Sequence, residues 1–539
     1  MTHPRQLQRT GRRSLWVALL LLVLFPACMG GDDADPTSSS SPSATIPVSS
    51  PTSQASASPT PERPVPSLPA ALLTPTASPS AVPARTATAI GTPSATREPV
   101  PVPAGQDDGL PDVALAYEIE AILRDFDSGI VDALSSTTIT NQEPVLLERL
   151  FFRVAPAQFN EFSLNNLTRD GVDLTPIGSD NGTTLEVVLD PPLAPGATTE
   201  LRFDFVVPLR DTGDGFASIT RDGPVLRLGV WYPMLSNDDG YPPLLDPPYT
   251  LAADYTVSFT APAEVVVAAS GELTGPPEEG AGDIRYSYTL ANGRDFALML
   301  SREYEVDERT TAAGVVVRQY TLASEYGDST ATRSEIRDQV FAVAEQSLAE
   351  FTANIGPYPW PSLALVEAGP GLGGGIEYSA LTIISYDSGA LDNLVAHEIA
   401  HMWFYAAIGT RTQDDPWVDE GAATFLGNGI TSGDYALSSD QGAINYVAPL
   451  DSSIPDLTGF NGGEWTTAVY TQGGSFFADT YVAMGEAAFW DAMRDIYDTQ
   501  LYEIATPWEV LTTFQAFSET DLLPLYERYF EYEWLDAVE

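Results

Sequence analysis

The sequence contains no lysine, so arginine supplies all 25 of its strongly basic side chains, against 74 acidic ones. The resulting formal net charge of −49 repels phosphate backbones, which excludes nucleic acid as an expected partner. Cysteine is almost absent: Cys28 stands alone, so the chain can form no internal disulfide. Of the 3 histidines, His3 lies in a segment that we expect to be removed, which leaves His397 and His401.

Residues 1–28 resemble an export signal. Arginines precede an apolar run at 15–24, which has about the length of a signal h-region and is too short to span a bilayer. A small residue followed by Cys28 resembles a bacterial lipoprotein processing site, which implies a lipid on Cys28 at the extracellular face of the cell membrane. Ordinary cleavage that leaves an incidental thiol, and a secreted chain, is the alternative. The pair Arg12-Arg13 resembles a twin-arginine signal, so the export route stays open.

Residues 29–109 consist mainly of Pro, Ser, Thr and Ala. Such a stretch cannot bury enough apolar surface to offset the entropy of ordering it, so we expect a disordered tether. A chain of this length has a typical reach of about 50 Å. It would hold a folded body away from a surface.

The stretch 110–312 has the pattern of a β domain. Apolar and polar residues alternate at 201–207, 255–259 and 286–290, which is the signature of half-buried strands. Pro, Gly, Asn and Asp separate these runs, as in the Asp-Pro-Pro sequence at 190–192. We expect an antiparallel β-sandwich or a saddle of sheets.

From 313 to 539 the pattern changes to a mixture of helices and strands. Apolar residues at 336–348 have helical spacing, short strands are predicted at 363–367 and 380–384, and helices dominate from 391 onward. The predicted fold class is therefore α+β with several domains. The C-terminal part of the chain is expected to be mainly helical.

The segment N-L-V-A-H-E-I-A-H-M-W-F at 393–404 carries both remaining histidines. On a helix, His397 and His401 at i and i+4 lie on one face and can hold one metal ion. Glu398 lies beside a ligand, at the general-base position of H-E-x-x-H peptidases. Gly409 is the expected end of this helix. Two core histidines with satisfied hydrogen bonds would be the structural alternative.

A second predicted helix supplies the third ligand, Glu420. Asp415 can cap that helix and Pro416 suits its first position. Two His and one Glu leave a fourth zinc position open for water, as in catalytic sites, so we expect one Zn²⁺ ion. Asp415 and Asp419 could orient the imidazoles or could simply be a cap and a solvated charge.

These motifs resemble the M1 family of metallopeptidases, which are gluzincins of the aminopeptidase N type. The spacing of His397, His401 and Glu420 matches that family, and three further sequences resemble its G-x-M-E-N, W-L-N-E-G and V-Y-x-K-G elements: G-G-I-E-Y at 374–378, W-V-D-E-G at 417–421 and V-Y-T-Q-G at 469–473. The likeness runs from about residue 115 to the end and includes W-Y-P at 231–233 and R-D-F-A at 294–297.

The resemblance implies a β-sandwich or saddle domain followed by a thermolysin-like catalytic domain. It implies that Glu398 is the general base and that Tyr470 donates a hydrogen bond to the oxyanion of the tetrahedral intermediate. It also implies that Glu377 pairs with the free α-amine of the substrate. Gly374 and Gly375 would begin an edge strand that binds peptide backbone.

Four residues depart from the family pattern. Tyr378 replaces Asn, Gln472 replaces Lys, and Tyr405-Ala406 replaces Gly-Asn after the His helix. Family members often hold the amine with a second acid from the β domain, and several Asp between 231 and 246 compete for that role.

The predicted function is a zinc aminopeptidase that acts on extracellular peptides with a free N-terminus and touches the membrane only through its lipid anchor. A zinc endopeptidase or another hydrolase using the same site is one alternative. A non-catalytic surface binding protein on a peptidase fold is the other, although the intact Glu398, metal triad and Tyr470 argue against it.

Overall fold

Alternating burial along the chain builds the sheets of the N-terminal half. The structure, a computed structural model, describes residues 109–159, 162–179, 182–211, 218–237, 250–323, 332–444, 446–453 and 466–538. In the strand Thr198–Pro208 every second side chain is buried, as the sequence pattern predicts. The predicted signal, nearly all of the tether, and Cys28 lie outside the described residues, so these assignments stay predictions.

The strands of the first half form three sheets. Their bounds are β1 Val113–Leu123, β2 Ile130–Asn141, β3 Leu147–Arg153, β4 Ser163–Arg169, β5 Val172–Asp173, β6 Ile177–Ser179, β7 Thr184–Leu193, β8 Thr198–Pro208, β9 Ile219–Asp222, β10 Val225–Leu228, β11 Met234–Ser236, β12 Ala253–Pro262, β13 Val266–Ala269, β14 Glu272–Leu273, β15 Glu278–Glu279, β16 Asp283–Gly293 and β17 Leu298–Ser301. A nine-stranded sheet has the order β14-β16-β12-β1-β2-β8-β4-β5, with β15 beside β16; two four-stranded sheets have the orders β13-β17-β10-β9 and β11-β3-β7-β6.

Two details differ from the predicted antiparallel arrangement. β1 pairs with β12 in parallel, whereas its other neighbour β2 is antiparallel. The Asp-Pro-Pro sequence at 190–192, expected as a gap between strands, lies within β7. The pairing of β7 with β3 shifts register between Leu147 and Arg149. The prolines, which have no N–H to donate, therefore lie in an irregular part of the ladder.

The second half adds a five-stranded sheet: β18 Tyr304–Thr310, β19 Val316–Leu322, β20 Ser362–Glu367, β21 Gly375–Tyr378 and β22 Leu381–Ile384, in the order β18-β19-β20-β22-β21. Both strands predicted at 363–367 and 380–384 are therefore present. β18 pairs with β19 across the domain boundary predicted after residue 312. The division into two domains at that residue stays a prediction.

The first α-helix lies between β19 and β20 in the chain, and the others follow β22. The helices are α1 Arg333–Asn354, α2 Leu391–Ala400, α3 Ala422–Ser432, α4 Gln441–Ile444, α5 Gly473–Met484, α6 Glu486–Gln500, α7 Pro507–Phe517 and α8 Leu523–Tyr526, with 3₁₀ turns at Ala155–Phe159 and Leu535–Ala537. Capping boxes at Thr332 and Thr506 begin α1 and α7. The mixed α+β class is as predicted. Within the described ranges, no helix combines the length and the apolar character needed to cross a membrane.

Candidate metal centre

Three side chains from two neighbouring helical segments converge on one point. His397 Nε2 lies 3.0 Å from Glu420 Oε2 and 3.2 Å from His401 Nε2. His401 Nε2 lies 3.4 Å from the same Glu420 oxygen. A tetrahedral zinc ion with bonds of about 2.0–2.1 Å sets its ligand atoms about 3.3 Å apart, so the three donors fit one such ion. Their donor set is that of a catalytic rather than a structural zinc site, because it leaves one position for water.

The helix that carries the two histidines is shorter than predicted. α2 ends at Ala400 with His401 as its cap, well before Gly409. Beyond it, the N–H groups of Ala406 and Ile408 donate to carbonyls five residues earlier, and Tyr405 has a φ of 121°. That left-handed backbone cannot continue a helix. His401 keeps helical backbone angles as the cap, and its N–H donates to the His397 carbonyl, so the two histidines still lie on one face.

Glu420 lies on a π-helical turn, Trp417–Gly421, which runs directly into α3. Such turns occur frequently at functional sites, because the wider turn rotates one side chain out of register. The predicted cap is wrong: no side chain caps this segment, and Asp415 instead accepts hydrogen bonds from the Arg411 guanidinium and the Tyr532 hydroxyl.

Asp419 is buried beside the ligand, so it is not a solvated charge. Its carboxylate accepts hydrogen bonds from the Thr410 hydroxyl at 2.6 Å and from the backbone N–H of Glu420 at 2.8 Å. Asp419 therefore fixes the backbone that bears Glu420. The imidazole of His401 is oriented by another group: its Nδ1 lies 3.2 Å from the carbonyl of Phe404.

Tyr470 reaches the same cluster from a second π-helical turn, Thr467–Gln472, which leads into α5. Its hydroxyl donates to Glu420 Oε1 at 2.9 Å, and its ring lies 5.9 Å from that of His397. Gln472, on the same turn, makes hydrogen bonds through both ends of its amide to the backbone of Val447 and Ala448. A lysine, which only donates, could not make both.

Glu398 lies between the metal triad and the β-sheet. The Thr382 hydroxyl on β22 is within hydrogen-bond distance of Glu398 Oε2, at 3.3 Å. Burial raises the pKa of Glu398, and the His397 and His401 imidazoles act against that rise. Burial also acts to raise the pKa of Glu420, yet its contacts with the two imidazoles lower that pKa well below its usual range.

Glu377 lies on β21, the edge strand of the five-stranded sheet, as the sequence predicts. One of its carboxylate oxygens, one of Glu398 and one His401 nitrogen lie within 4.8 Å of one another, and all three residues are buried. A Cβ at Gly375 would come within 2.4 Å of the Glu398 carboxyl, so a side chain at this position would displace that carboxyl. Gly374, just before the strand, accepts a hydrogen bond from the N–H of Ser385.

The sequence did not indicate Thr382, Thr410 or Asp295 as parts of the site. None of the three lies within one helical turn of the residue that it contacts, so regular spacing gives no signal. A hydroxyl within the fully buried strand β22 is the one cue that could have identified Thr382. The second amine-binding acid stays unassigned, because the candidate Asp residues between 231 and 246 lie outside the described residues.

Comparison with solved structures shows which fold this is. The M1 zinc metallopeptidase from Deinococcus radiodurans superposes with a TM-score of 0.57 at 20% identity over 76% of this chain and 92% of that chain. A variant of it gives a TM-score of 0.61 at 19% identity over 78% of this chain and 95% of that chain. The chain has the fold of the M1 zinc metallopeptidases. No protein-family model and no curated protein sequence matches it.

The four motifs named from the sequence can now be placed on this fold. The resemblance predicted from the sequence is thus confirmed for the fold. The four motifs lie on α2, on the two π-helical turns and on β21, and all four contribute to one cluster.

Proposed function

We propose that the chain is a zinc-dependent aminopeptidase that removes N-terminal residues from peptides outside the cell. The observation that carries this proposal is the convergence of His397, His401 and Glu420 at distances that fit one zinc ion. Glu398, Tyr470 and Glu377 surround that point, each at a position suited to a different step. Zinc bound there would polarise the scissile carbonyl and lower the pKa of water toward about 7.

Glu398 is the general base in this proposal. Its carboxylate oxygen takes a proton from the attacking water and later delivers it to the leaving amine. The raised pKa of the buried carboxyl suits a group that must both accept and return a proton. The Thr382 hydroxyl lies 3.3 Å from one oxygen of this carboxylate and 3.1 Å from the Ile376 carbonyl.

Tyr470 stabilises the charge that develops on the carbonyl oxygen. Its hydroxyl, which contacts Glu420 Oε1 in this structure, has to turn only a short way to donate to an oxyanion beside the metal ligands. The π-helical turn that carries Tyr470 packs against the one that carries Glu420, so the donor and the ligand are held together.

Glu377 would bind the free α-amine at the N-terminus of the substrate. Its carboxylate lies beside Glu398 and the metal ligand His401, where it could accept charge-assisted hydrogen bonds from the α-ammonium of a peptide. The edge position of β21 leaves one side of that strand available for the backbone of an extended peptide. Peptide and amino acid ligands occur in solved neighbours: a two-domain M1 zinc metallopeptidase variant is bound to L-arginine, and the Deinococcus radiodurans variant is bound to a Tyr-Ser-Ala substrate.

The proposed location is the extracellular face of the cell membrane, through a lipid on Cys28. It rests on the sequence at 1–28 and on the lone cysteine. Cell fractionation tests it: the parent chain should sediment with membranes, and Cys28→Ala should appear in the soluble exported fraction. A parent chain found wholly in the soluble exported fraction would contradict the lipid anchor and favour a secreted enzyme.

A substrate panel tests the aminopeptidase proposal. Aminoacyl amides with a free amine are compared with their N-acetylated counterparts, using the purified parent chain and Glu377→Gln. We expect the parent to cleave only the free-amine set, and the variant to show a raised KM for it. Cleavage of blocked peptides as well would favour an endopeptidase. Zinc binding without any cleavage would favour a binding protein.

A further inference from the structure

A buried dipeptide of the N-terminal half, Arg294-Asp295, joins two segments of the candidate site. Both side chains are fully shielded from solvent. Asp295 Oδ1 accepts a hydrogen bond from the N–H of Ser379 at 3.0 Å. Its Oδ2 accepts one from the Tyr405 hydroxyl at 2.5 Å. A single carboxylate therefore links two segments that come from different parts of the chain.

The first segment is the turn after α2. Tyr405 has a φ of 121°, a region that bulky residues rarely adopt and that is stable only where surrounding contacts fix it. Here both ends of the residue are held: Asp295 binds its hydroxyl, and Arg294 Nε donates to its carbonyl at 3.0 Å. The other guanidinium nitrogens donate to the carbonyls of Thr250 and Glu503.

This fixed turn controls a metal ligand. The residue before Tyr405 is Phe404, whose carbonyl lies 3.2 Å from His401 Nδ1. A ligating imidazole is oriented by the group that its other nitrogen contacts, and losing that group typically weakens metal binding about 10–100-fold. The position of the Phe404 carbonyl depends on the backbone of Tyr405, and hence on Asp295.

The second segment is the end of the edge strand β21. Ser379 follows directly on β21, which carries Glu377. Besides its N–H bond to Asp295, its hydroxyl accepts the N–H of Arg294 at 2.9 Å. The Arg294-Asp295 pair thus holds the strand of the amine-binding candidate and the turn that orients a metal ligand.

We propose that Asp295, together with Arg294, is a positioning residue that fixes His401 and Glu377 relative to each other. The inference rests on the proposed function, because it assigns His401 to zinc and Glu377 to the substrate amine. It adds a role for residues that neither touch the substrate nor bind the metal. It also explains why a tyrosine occupies a turn whose backbone favours glycine: the phenol supplies the link to Asp295.

Zinc affinity is the first readout, measured on metal-free chain by competition with a chromophoric chelator. We expect Tyr405→Phe, which removes only the hydroxyl, to weaken zinc binding about tenfold while the KM for free-amine substrates stays within about twofold. Asp295→Ala, which breaks both links, should weaken zinc binding about 10–100-fold and also raise that KM. Asp295→Asn should rescue most of both losses, since its amide can accept from Ser379 and donate to the Tyr405 oxygen.

Asn141→Ala is the matched control for a loss of stability. Asn141 is fully buried at the end of β2 and makes three hydrogen bonds, to Val145, Leu193 and Glu143, remote from the site in sequence and sheet. Its removal should lower thermal stability and leave zinc affinity and KM unchanged.

Two results would overturn the inference. One is parent-like zinc affinity in Tyr405→Phe and Asp295→Ala, with the parent binding zinc tightly. The other is a loss of zinc affinity in Asn141→Ala as large as that in Asp295→Ala, which would reduce the effect to general destabilisation. A parent chain that binds no zinc would overturn the proposed function and this inference with it. If Asp295→Ala does not fold, Tyr405→Phe alone decides.

Discussion

At the scale of single residues, Tyr470 and Glu420 share one hydrogen bond but have different tasks. Glu420 Oε2 faces the two imidazoles, whereas Oε1 accepts from the Tyr470 hydroxyl. The tyrosine can leave this bond when a stronger acceptor forms beside it, because an oxyanion is a better acceptor than a carboxylate already shared with the imidazoles. Its contribution should therefore be largest in the transition state.

Tyr470→Phe should lower kcat about 10²–10³-fold and change KM little, because it removes a donor needed only in the transition state. Steady-state kinetics with a free-amine aminoacyl amide measures both constants. Tyr446→Phe, at a tyrosine that is 47% exposed, is the matched control and should behave as the parent. An unchanged kcat in Tyr470→Phe would show that Tyr470 does not stabilise the oxyanion.

The residues that sequence analysis identified are those whose partners lie within one helical turn or one short motif. His397, Glu398 and His401 belong to this class, since the helix alone fixes their relation. For Asp419 the sequence left two roles open, an orienting residue or a solvated charge. Its buried contacts with Thr410 and Glu420 depend on the path of a loop, which residue spacing does not encode. The motif at 294–297 and the departure at Tyr405 were both visible in the sequence, but the hydrogen bond from Tyr405 to Asp295 depends on tertiary pairing that spacing does not encode.

At the scale of elements, two π-helical turns determine where the third ligand and the oxyanion donor lie. Trp417–Gly421 and Thr467–Gln472 meet through glycine, and a Cβ at Gly473 would lie 2.9 Å from the Cα of Gly421. That neighbour is backbone and cannot rotate away. The close approach of the two turns is therefore what holds Glu420 and Tyr470 within one hydrogen bond.

Gly473→Ala should push the two turns apart. We expect the free energy of unfolding to fall by about 1–3 kcal/mol, as overpacking in a dense interior does. We also expect kcat to fall by more than the loss of folded protein accounts for. Denaturant titration and steady-state kinetics measure these effects. Gly275→Ala, which places its methyl group in open space, is the control. Parent-like kinetics in a folded Gly473→Ala enzyme would contradict this reasoning.

Element boundaries were predicted less well than element types. α2 was expected to reach Gly409 and ends at Ala400, and the helix cannot resume at Tyr405, whose positive φ is held by contacts with Arg294 and Asp295. β7 runs through a proline pair that reads as a break, because its partner strand shifts register there. The alternation in β8, which depends on burial of one face alone, was predicted correctly.

At the scale of the whole molecule, buried charge couples stability to pH. Burial raises the pKa of Asp295 to about 7, although the Tyr405 hydroxyl, the Ser379 N–H and the Arg294 guanidinium act against the rise. Between its unfolded pKa and pH 7 the folded chain keeps this proton and the unfolded chain has lost it. The free energy of unfolding therefore falls as pH rises through that window and levels off above it.

Asp295→Asn removes this titration. Relative to the variant, the parent should lose roughly 2–3 kcal/mol of stability between pH 5 and 8, with most of the change below pH 7. Urea titrations across that range measure it; lower pH is avoided because the pI of about 4.1 favours association. A stability difference that is constant from pH 5 to 8 would show that Asp295 titrates normally.

The overall fold was predictable because the four sequence motifs occur in the same order as in the M1 family, so the resemblance implied the fold of that family. The number of sheets and the parallel pair β1–β12 were not, since parallel pairing brings together strands far apart in the chain.

Metal dependence tests the central claim most directly. The purified chain is assayed on a free-amine aminoacyl amide after removal of metal by a chelator, then after addition of one equivalent of Zn²⁺, with Glu398→Gln in parallel. The account predicts no hydrolysis without metal and full recovery with zinc. It also predicts a Glu398→Gln enzyme that binds zinc but hydrolyses at least about 10²-fold more slowly. Activity that survives chelation, or an active Glu398→Gln enzyme, would contradict it.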